Sequence, residues 1–295
     1  MTVWRPLDPG EPIGVVALSG PIDPERLARG IDALRNWGHP VSPAINLGDR
    51  AGYLAGSDDA RLAGLTDLLD RGVRFFLGAR GGYGVSRLLD RVPWRRMQDA
   101  GVVVVGFSDL TALINPLAQR TLQVHGPMVA AGLARQENSE RLRELVYARP
   151  QGQTLFRFAS PSVLRHGRAE GVVVGGNLSV LSSLMGTPWE PDFNDRVLVL
   201  EEVSEPPYRL DRLLTQLRGS ASFGGVKALI CGTLHACRPH AECLARWTDL
   251  VLESTSDRVP VVVGLPFGHG ARNLAFPIGA TVEIDTRRGA VIWST

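Results

Sequence analysis

The chain is 295 residues long, 44% hydrophobic and 21% charged, with a formal net charge of +2 at pH 7. That length exceeds what one compact domain needs and suits two, while the composition excludes a disordered tail, a coiled coil and a collagen-like repeat. So small a charge excess makes no case for a broad nucleic-acid surface. The first half alternates strand and helix signals. GVVALSG (14–20) reads as a short buried strand, and PERLARGIDALRNWG (24–38) as an amphipathic helix stopped by Gly38. SDDARLAGLTDLLDRG (57–72) is a second helix, with Ser57 as N-cap and Gly72 at its end. VRFFLGA (73–79) is a strand, YGVSRLLDRV a helix, GVVVVGF (101–107) the clearest buried strand, and SDLTALINPLAQ the helix it feeds. Strands that are apolar on both faces and alternate with helices predict a mostly parallel, doubly covered sheet, an α/β fold.

Beyond Arg149 the pattern changes. Residues 150–171 are polar and turn-rich and read as a connection, with room for a β-ribbon of their own. Strands follow at 171–177, 195–203, 226–234 and 259–268, with a hairpin over 279–295 turning at Arg287-Arg288-Gly289. Helices are expected at NLSVLSSLMG and YRLDRLLTQLRG. The expected organisation is a domain over 1–145, a linker over 146–168, and a second, β-rich α/β domain over 169–295. No apolar run reaches bilayer length, and the opening MTVWRPLDPGEPIG lacks a basic start followed by an apolar stretch, so neither membrane nor secretory signal is expected. Three cysteines crowded into residues 231–243 do not suggest a disulfide framework, and the expected location is the cytoplasm.

Four segments could carry chemistry. GVVVVGFSDL brings Ser108 to the carboxyl end of a parallel strand, where open α/β sheets build their sites. Its hydroxyl could be a nucleophile beside helix N–H groups, or simply an N-cap, with Asp109 favoured by the helix dipole. The Gly-x-Ser-x-Gly elbow is broken by Leu110. ARGGYG offers Gly81 and Gly82 for close backbone approach, but it is not a dinucleotide fingerprint. LVLEEVSEPP holds Glu201, Glu202 and Glu205, and strand alternation predicts that one of Glu201 and Glu202 points inward, where it would need a partner. GLPFGHG sets His269 between two glycines after a strand, suited to act as a base. Cys231, His235, Cys237, His240 and Cys243 are metal-type ligands, but no Cys-x-x-Cys pair is present and no metal is expected. The sole lysine, Lys227, lies outside any Gly-Lys-Ser/Thr phosphate loop.

These segments together resemble the LD-carboxypeptidase family of serine peptidases, which also contains the microcin C immunity proteins. The match is an ordered set along nearly the whole chain: Ser19-Gly20-Pro21, ARGGYG with RLLD, VGFSD, VHGPM (124–128), and GGNLS with LxxLxGTP (175–188). It continues through LEEV with EPPYRLDR, GLPFGHG and the closing PIGATVEID. The family's elbow reads Gly-x-Ser-Asp, as here. The resemblance implies a Rossmann/flavodoxin-like N-terminal parallel-sheet domain and a swivelling, β-rich C-terminal α/β domain. It implies Ser108 as nucleophile, Glu201 (rather than Glu202) as acidic member and His269 as base. The N–H groups of Gly82 (or Gly81) and Asp109 would form the oxyanion hole. An exopeptidase must also bind a free carboxylate, and with one lysine in the chain the candidates for that contact are Arg80 and the Gly81 main chain. The implied activity is release of terminal D-alanine from murein tetrapeptides, in a cytoplasmic homodimer needing no cofactor. The alternatives are an immunity-type enzyme cutting a peptidyl-nucleotide amide and a non-catalytic α/β protein that binds an anionic ligand.

Overall fold

A computed structural model describes residues 4–147 and 152–294. The strands run β1 (Ile13–Val16), β2 (Val41–Pro43), β3 (Phe75–Gly78), β4 (Val103–Gly106), β5 (Gln123–His125), β6 (Thr154–Arg157) and β7 (Val163–Arg165). They continue as β8 (Arg168–Asn177), β9 (Arg196–Val203), β10 (Ala228–His235), β11 (Val261–Val262), β12 (Phe276–Ile278), β13 (Thr281–Asp285) and β14 (Ala290–Trp293). The helices are α1 (Pro24–Arg35), α2 (Asp58–Asp70), α3 (Trp94–Asp99), α4 (Thr111–Leu117), α5 (Gln136–Tyr147), α6 (Leu178–Leu184), α7 (Pro207–Arg218) and α8 (His240–Ser254).

Two compact units result, one of Met1–Arg149 with Asn273–Pro277, the other of Pro150–Arg272 with Ile278–Thr295. The first carries a six-stranded sheet in the order β2-β1-β3-β4-β5-β12. The pairings among β1 to β5 are all parallel. Strand order reverses between β1 and β3, the flavodoxin-type switch point where α/β sheets place ligands. Val102–Val105 are fully buried, which is why that run is apolar on both faces. Local signals start the helices. Asp23 caps α1 by accepting from Arg26 N at 2.9 Å, with Pro24 in the first turn, and Ser57 caps α2 by accepting from Ala60 N at 3.1 Å.

The second unit holds an eight-stranded mixed sheet, order β6-β14-β13-β8-β9-β10-β11-β7. Its centre is parallel (β8-β9-β10-β11) and its flanks antiparallel. Helices α6, α7 and α8 pack an apolar cluster onto it that includes Leu178, Leu181, Leu210, Leu214, Trp247 and Leu250.

Several elements depart from the sequence reading. Residues 154–165, expected as linker, supply the two edge strands β6 and β7; residues 148–151 lie outside the described part. Edge strands need only one paired side, so their weak periodicity suffices. The span 169–295 is interrupted, because Asn273–Pro277 belong to the first unit. The helix expected over 83–92 is a pair of 3₁₀ turns, Val85–Arg87 and Leu89–Arg91; Gly84 at φ 132° and Pro93 keep it from growing. The strand expected over 259–268 is only Val261–Val262, and the rest is loop. Helices α3, α5 and α8 are not expected from the sequence. α5 is largely polar outside its buried Leu142, Leu145 and Val146, and α8 begins inside the cysteine-histidine segment.

Candidate active site

In the first unit, β1, β3 and β4 end side by side, which gathers Ser19-Gly20, Arg80–Gly82 and Phe107–Asp109 at one end of the sheet. Ser108 follows an extended Phe107 and takes φ 59°, then opens a 3₁₀ turn, Ser108–Leu110, that leads into α4. Holding a non-glycine residue in that left-handed region costs roughly 1–3 kcal/mol. A serine strained at a strand-to-helix turn is the geometry that projects a nucleophile. The N-cap alternative does not describe it. The cap position is Phe107, and no side chain caps the turn.

Glycine makes the turn possible. A Cβ at Gly106 would come 2.5 Å from Leu110 Cδ2, and one at Gly81 would come 3.0 Å from both Cβ and Oγ of Ser108. The double-glycine backbone therefore runs directly against the serine hydroxyl. Gly20 N donates to Gly81 O at 3.1 Å, and Gly82, at φ 128°, packs on the Gly20 backbone. The Arg80 guanidinium donates to Pro21 O at 2.7 Å, tying the same two loops together.

The role of the Asp109 side chain was not read from the sequence. Its buried carboxylate accepts from Ser19 Oγ at 2.6 Å and Val85 N at 3.0 Å, and the Gly84 backbone also donates to it. It clamps the loop after β1 and the loop after β3 to the serine turn. Burial pushes its pKa up, against the pull of Ser19, Val85, Gly84 and the nearby Arg61 charge. An acid directly after the serine, in an otherwise apolar turn, was the available signal.

In the second unit, β9 lies between β8 and β10, and its consecutive residues Val197–Glu202 are all buried, so both of its faces are covered and Glu201 and Glu202 are both inside. The expectation that only one points inward assumed a half-exposed strand. The two carboxylates are separated by their partners. Glu202 accepts from Asn177 Nδ2 (3.0 Å), Ser179 N and Oγ (2.7 Å each) and Val203 N (2.8 Å), so it anchors the start of α6 to the sheet. Burial raises its pKa, as does the Glu201 charge, while those donors lower it. Glu201 Oε2 instead accepts from His269 Nδ1 at 2.7 Å.

A bulge in β10 delivers His269. The register shifts between Cys231 and Leu234, and a Cβ on Gly232 would sit 2.6 Å from Phe267 O. Leu265 N donates to Cys231 O at 3.1 Å, and Thr233 N donates to Phe267 O at 3.0 Å. The loop after β11 is thus pinned along the bulge. Gly268, at φ 103°, turns over Glu201, where any Cβ would lie 2.5 Å from Oε2. Burial alone would disfavour protonation of His269. The Glu201 hydrogen bond and the charges of Glu201 and Glu202 outweigh it, and the pKa is raised above the usual imidazole value. Donation from Nδ1 to Glu201 puts the lone pair of the neutral ring on Nε2.

The sequence-predicted residues therefore group as Ser108 with Gly81, Gly82, Asp109 and Arg80 in one unit, and Glu201 with His269 in the other. The cysteine-histidine segment does not converge: Cys231, Cys237 and Cys243 face the core, while His235 and His240 are exposed. Burial pushes the Cys231 thiol up to about 12 and Cys237 to about 11. Among the described residues no group of three or more histidine, cysteine or acidic side chains is placed to hold a metal ion. No described helix is long and apolar enough to cross a membrane.

Residues 13–126 match the model of the LD-carboxypeptidase N-terminal domain and residues 170–284 that of the LD-carboxypeptidase C-terminal domain. The chain belongs to the LD-carboxypeptidase family. As a member it is a serine-type carboxypeptidase. It is 39% identical over 297 residues to a putative carboxypeptidase of Streptomyces coelicolor, covering 97% of this chain and 94% of that one. It is 32% identical over 308 residues to the murein tetrapeptide carboxypeptidase of Pseudomonas aeruginosa, covering 97% and 96%. The muramoyltetrapeptide carboxypeptidase structure from Oxalobacter formigenes superposes with a TM-score of 0.81 at 26% identity, over 95% of this LD-carboxypeptidase and 97% of that chain. The microcin immunity protein MccF in complex with glutamyl sulfamoyl guanosine shares the fold, with a TM-score of 0.87 at 20% identity over 100% and 99% of the two chains.

Proposed function

We propose that this LD-carboxypeptidase releases terminal D-alanine from murein tetrapeptides, with Ser108 as nucleophile, His269 as base and Glu201 as its orienting acid. The observation that carries the proposal is the 2.7 Å bond from His269 Nδ1 to a fully buried Glu201. It selects the tautomer a general base needs and stabilises the imidazolium that forms. The strained turn at Ser108, against the Gly81 backbone, supports the nucleophile. The murein relatives, at 32% identity over nearly the whole chain, support the substrate class.

In this reading the Ser108 hydroxyl attacks the scissile carbonyl as Nε2 of His269 takes its proton. The N–H groups of Gly82 and Asp109 stabilise the oxyanion, each worth about 3 kcal/mol by analogy with known oxyanion holes. His269 returns the proton to the departing D-alanine nitrogen. Water, deprotonated by the same imidazole, then hydrolyses the acyl-enzyme. Arg80 and the Gly81 loop lie beside the serine and supply cationic and main-chain donors for the substrate's terminal carboxylate. The reading extends to a cytoplasmic homodimer, on the resemblance alone.

The test is D-alanine release from murein tetrapeptide by wild type and by Ser108→Ala. The variant should fold and lose turnover; undiminished release would end the assignment. A peptidyl-nucleotide substrate, run in parallel, decides between this activity and the immunity-type one.

A further inference from the structure

Most arginines of the first unit are matched to carboxylates: Arg61 and Arg87 to Asp58, Arg74 to Glu11, Arg96 to Asp70. Arg26 and Arg135 have no acidic partner among the described residues, and Arg29 only reaches Glu25 at 3.9 Å, across a side chain that is 88% exposed. These three cations line a single cleft of about 430 Å³ with Val129–Gly132 and Ala134. Their arrangement is built into the fold. Gly30 of α1 is buried, and a Cβ there would fall 2.0 Å from Val129 O, so only glycine lets the helix rest on that loop. Arg26 lies one turn before Gly30 on the same helix face, and Arg29 directly precedes it. The loop is held on its other side by Val129 N donating to Gly78 O (3.0 Å) and Ala130 N to Ala79 O (2.8 Å), and Arg135 stands just ahead of α5.

We propose that this cleft is a binding site for a small molecule carrying two or more oxyanion charges, held by the guanidinium groups of Arg26, Arg29 and Arg135. Three arginines around one concavity, two without a carboxylate and the third with only a distant, exposed one, repel one another, and a multivalent anion relieves that repulsion while accepting bidentate bonds. The cleft is large enough for a compact metabolite. None of its lining residues belongs to the serine turn, although the chain connects the two within a few residues. Met128, next in chain to Val129, lies against Gly81, with its Cε 3.3 Å from where a Gly81 Cβ would be. The inference does not depend on the proposed substrate.

The experiment is calorimetric titration of the full chain with pyrophosphate and, separately, tricarballylate, at ionic strength fixed with potassium chloride. Saturable binding of either is expected. Preference for pyrophosphate marks a phosphorylated ligand, and preference for tricarballylate a polycarboxylate. Arg26→Gln with Arg135→Gln should weaken binding roughly 10-fold or more, with circular dichroism and D-alanine release retained. Ala134→Glu, an exposed position that would put a carboxylate into the cleft, should do the same should the double variant fail to fold. Failure of both anions to saturate, or full affinity in the folded variants, overturns the proposal.

Discussion

Replacing Gly268 by alanine should damage the Glu201–His269 pair from a position that has no chemical role of its own in the proposed reaction. The added Cβ would stand 2.5 Å from Glu201 Oε2, 2.8 Å from its Cβ and 2.9 Å from its Cγ. Unbonded atoms prefer about 3.5–4.0 Å. Glu201 cannot swing aside into solvent, because its side chain is fully buried. Either the carboxylate or the histidine loop must shift, and the atom displaced first is the one that accepts from Nδ1. A hydrogen bond to a charged group is worth about 1.5–3 kcal/mol, so kcat for D-alanine release should fall by roughly 10- to 150-fold, with KM little changed. The φ of 103° adds strain of about 1–3 kcal/mol, lowering Tm by roughly 2–12 °C. Steady-state kinetics on murein tetrapeptide, paired with thermal unfolding, measures both. Wild-type kcat in the alanine variant would refute the argument that this pair orients the base.

Because Glu201 and Glu202 raise the pKa of His269, the acid limb of kcat/KM should lie above the usual imidazole value, and Glu201→Gln should move it to lower pH while reducing the plateau; a pH-rate series reads both. The linkage sign follows: a raised folded pKa contributes stability that is complete below the unfolded value and is lost as pH rises through the folded one. Urea unfolding should therefore show His269→Asn losing more stability, relative to wild type, on the acid side of that window than on the alkaline side. Asp109→Ala removes the acceptor shared by Ser19 Oγ and Val85 N; at about 1–3 kcal/mol per stranded buried group, it should lower Tm measurably and cut kcat through loosening of the Ser108 turn. Retention of both by the folded variant would show that the clamp is dispensable.

Local physics made much of the protein legible from its sequence. The Val102–Val105 run, the Ser57 cap and the double glycine at 81–82 act over a few residues, so their meaning survives without a fold. The ordered motifs were enough to point to the family, and with it to Ser108, Glu201 and His269. Tertiary structure decided the rest, because burial and hydrogen-bond partners are properties of neighbours distant in the chain. Nothing within LEEV says that Glu202 is taken by Asn177 and Ser179 while Glu201 is left for His269; the pairing of β9 with β8 and the bulge in β10 decide it. Nothing within SDL says that Asp109 reaches Ser19, ninety residues earlier. The short Phe276–Ile278 strand is invisible by periodicity, yet it completes the edge of the first sheet, since three residues gain their backbone partners only once β5 lies beside them.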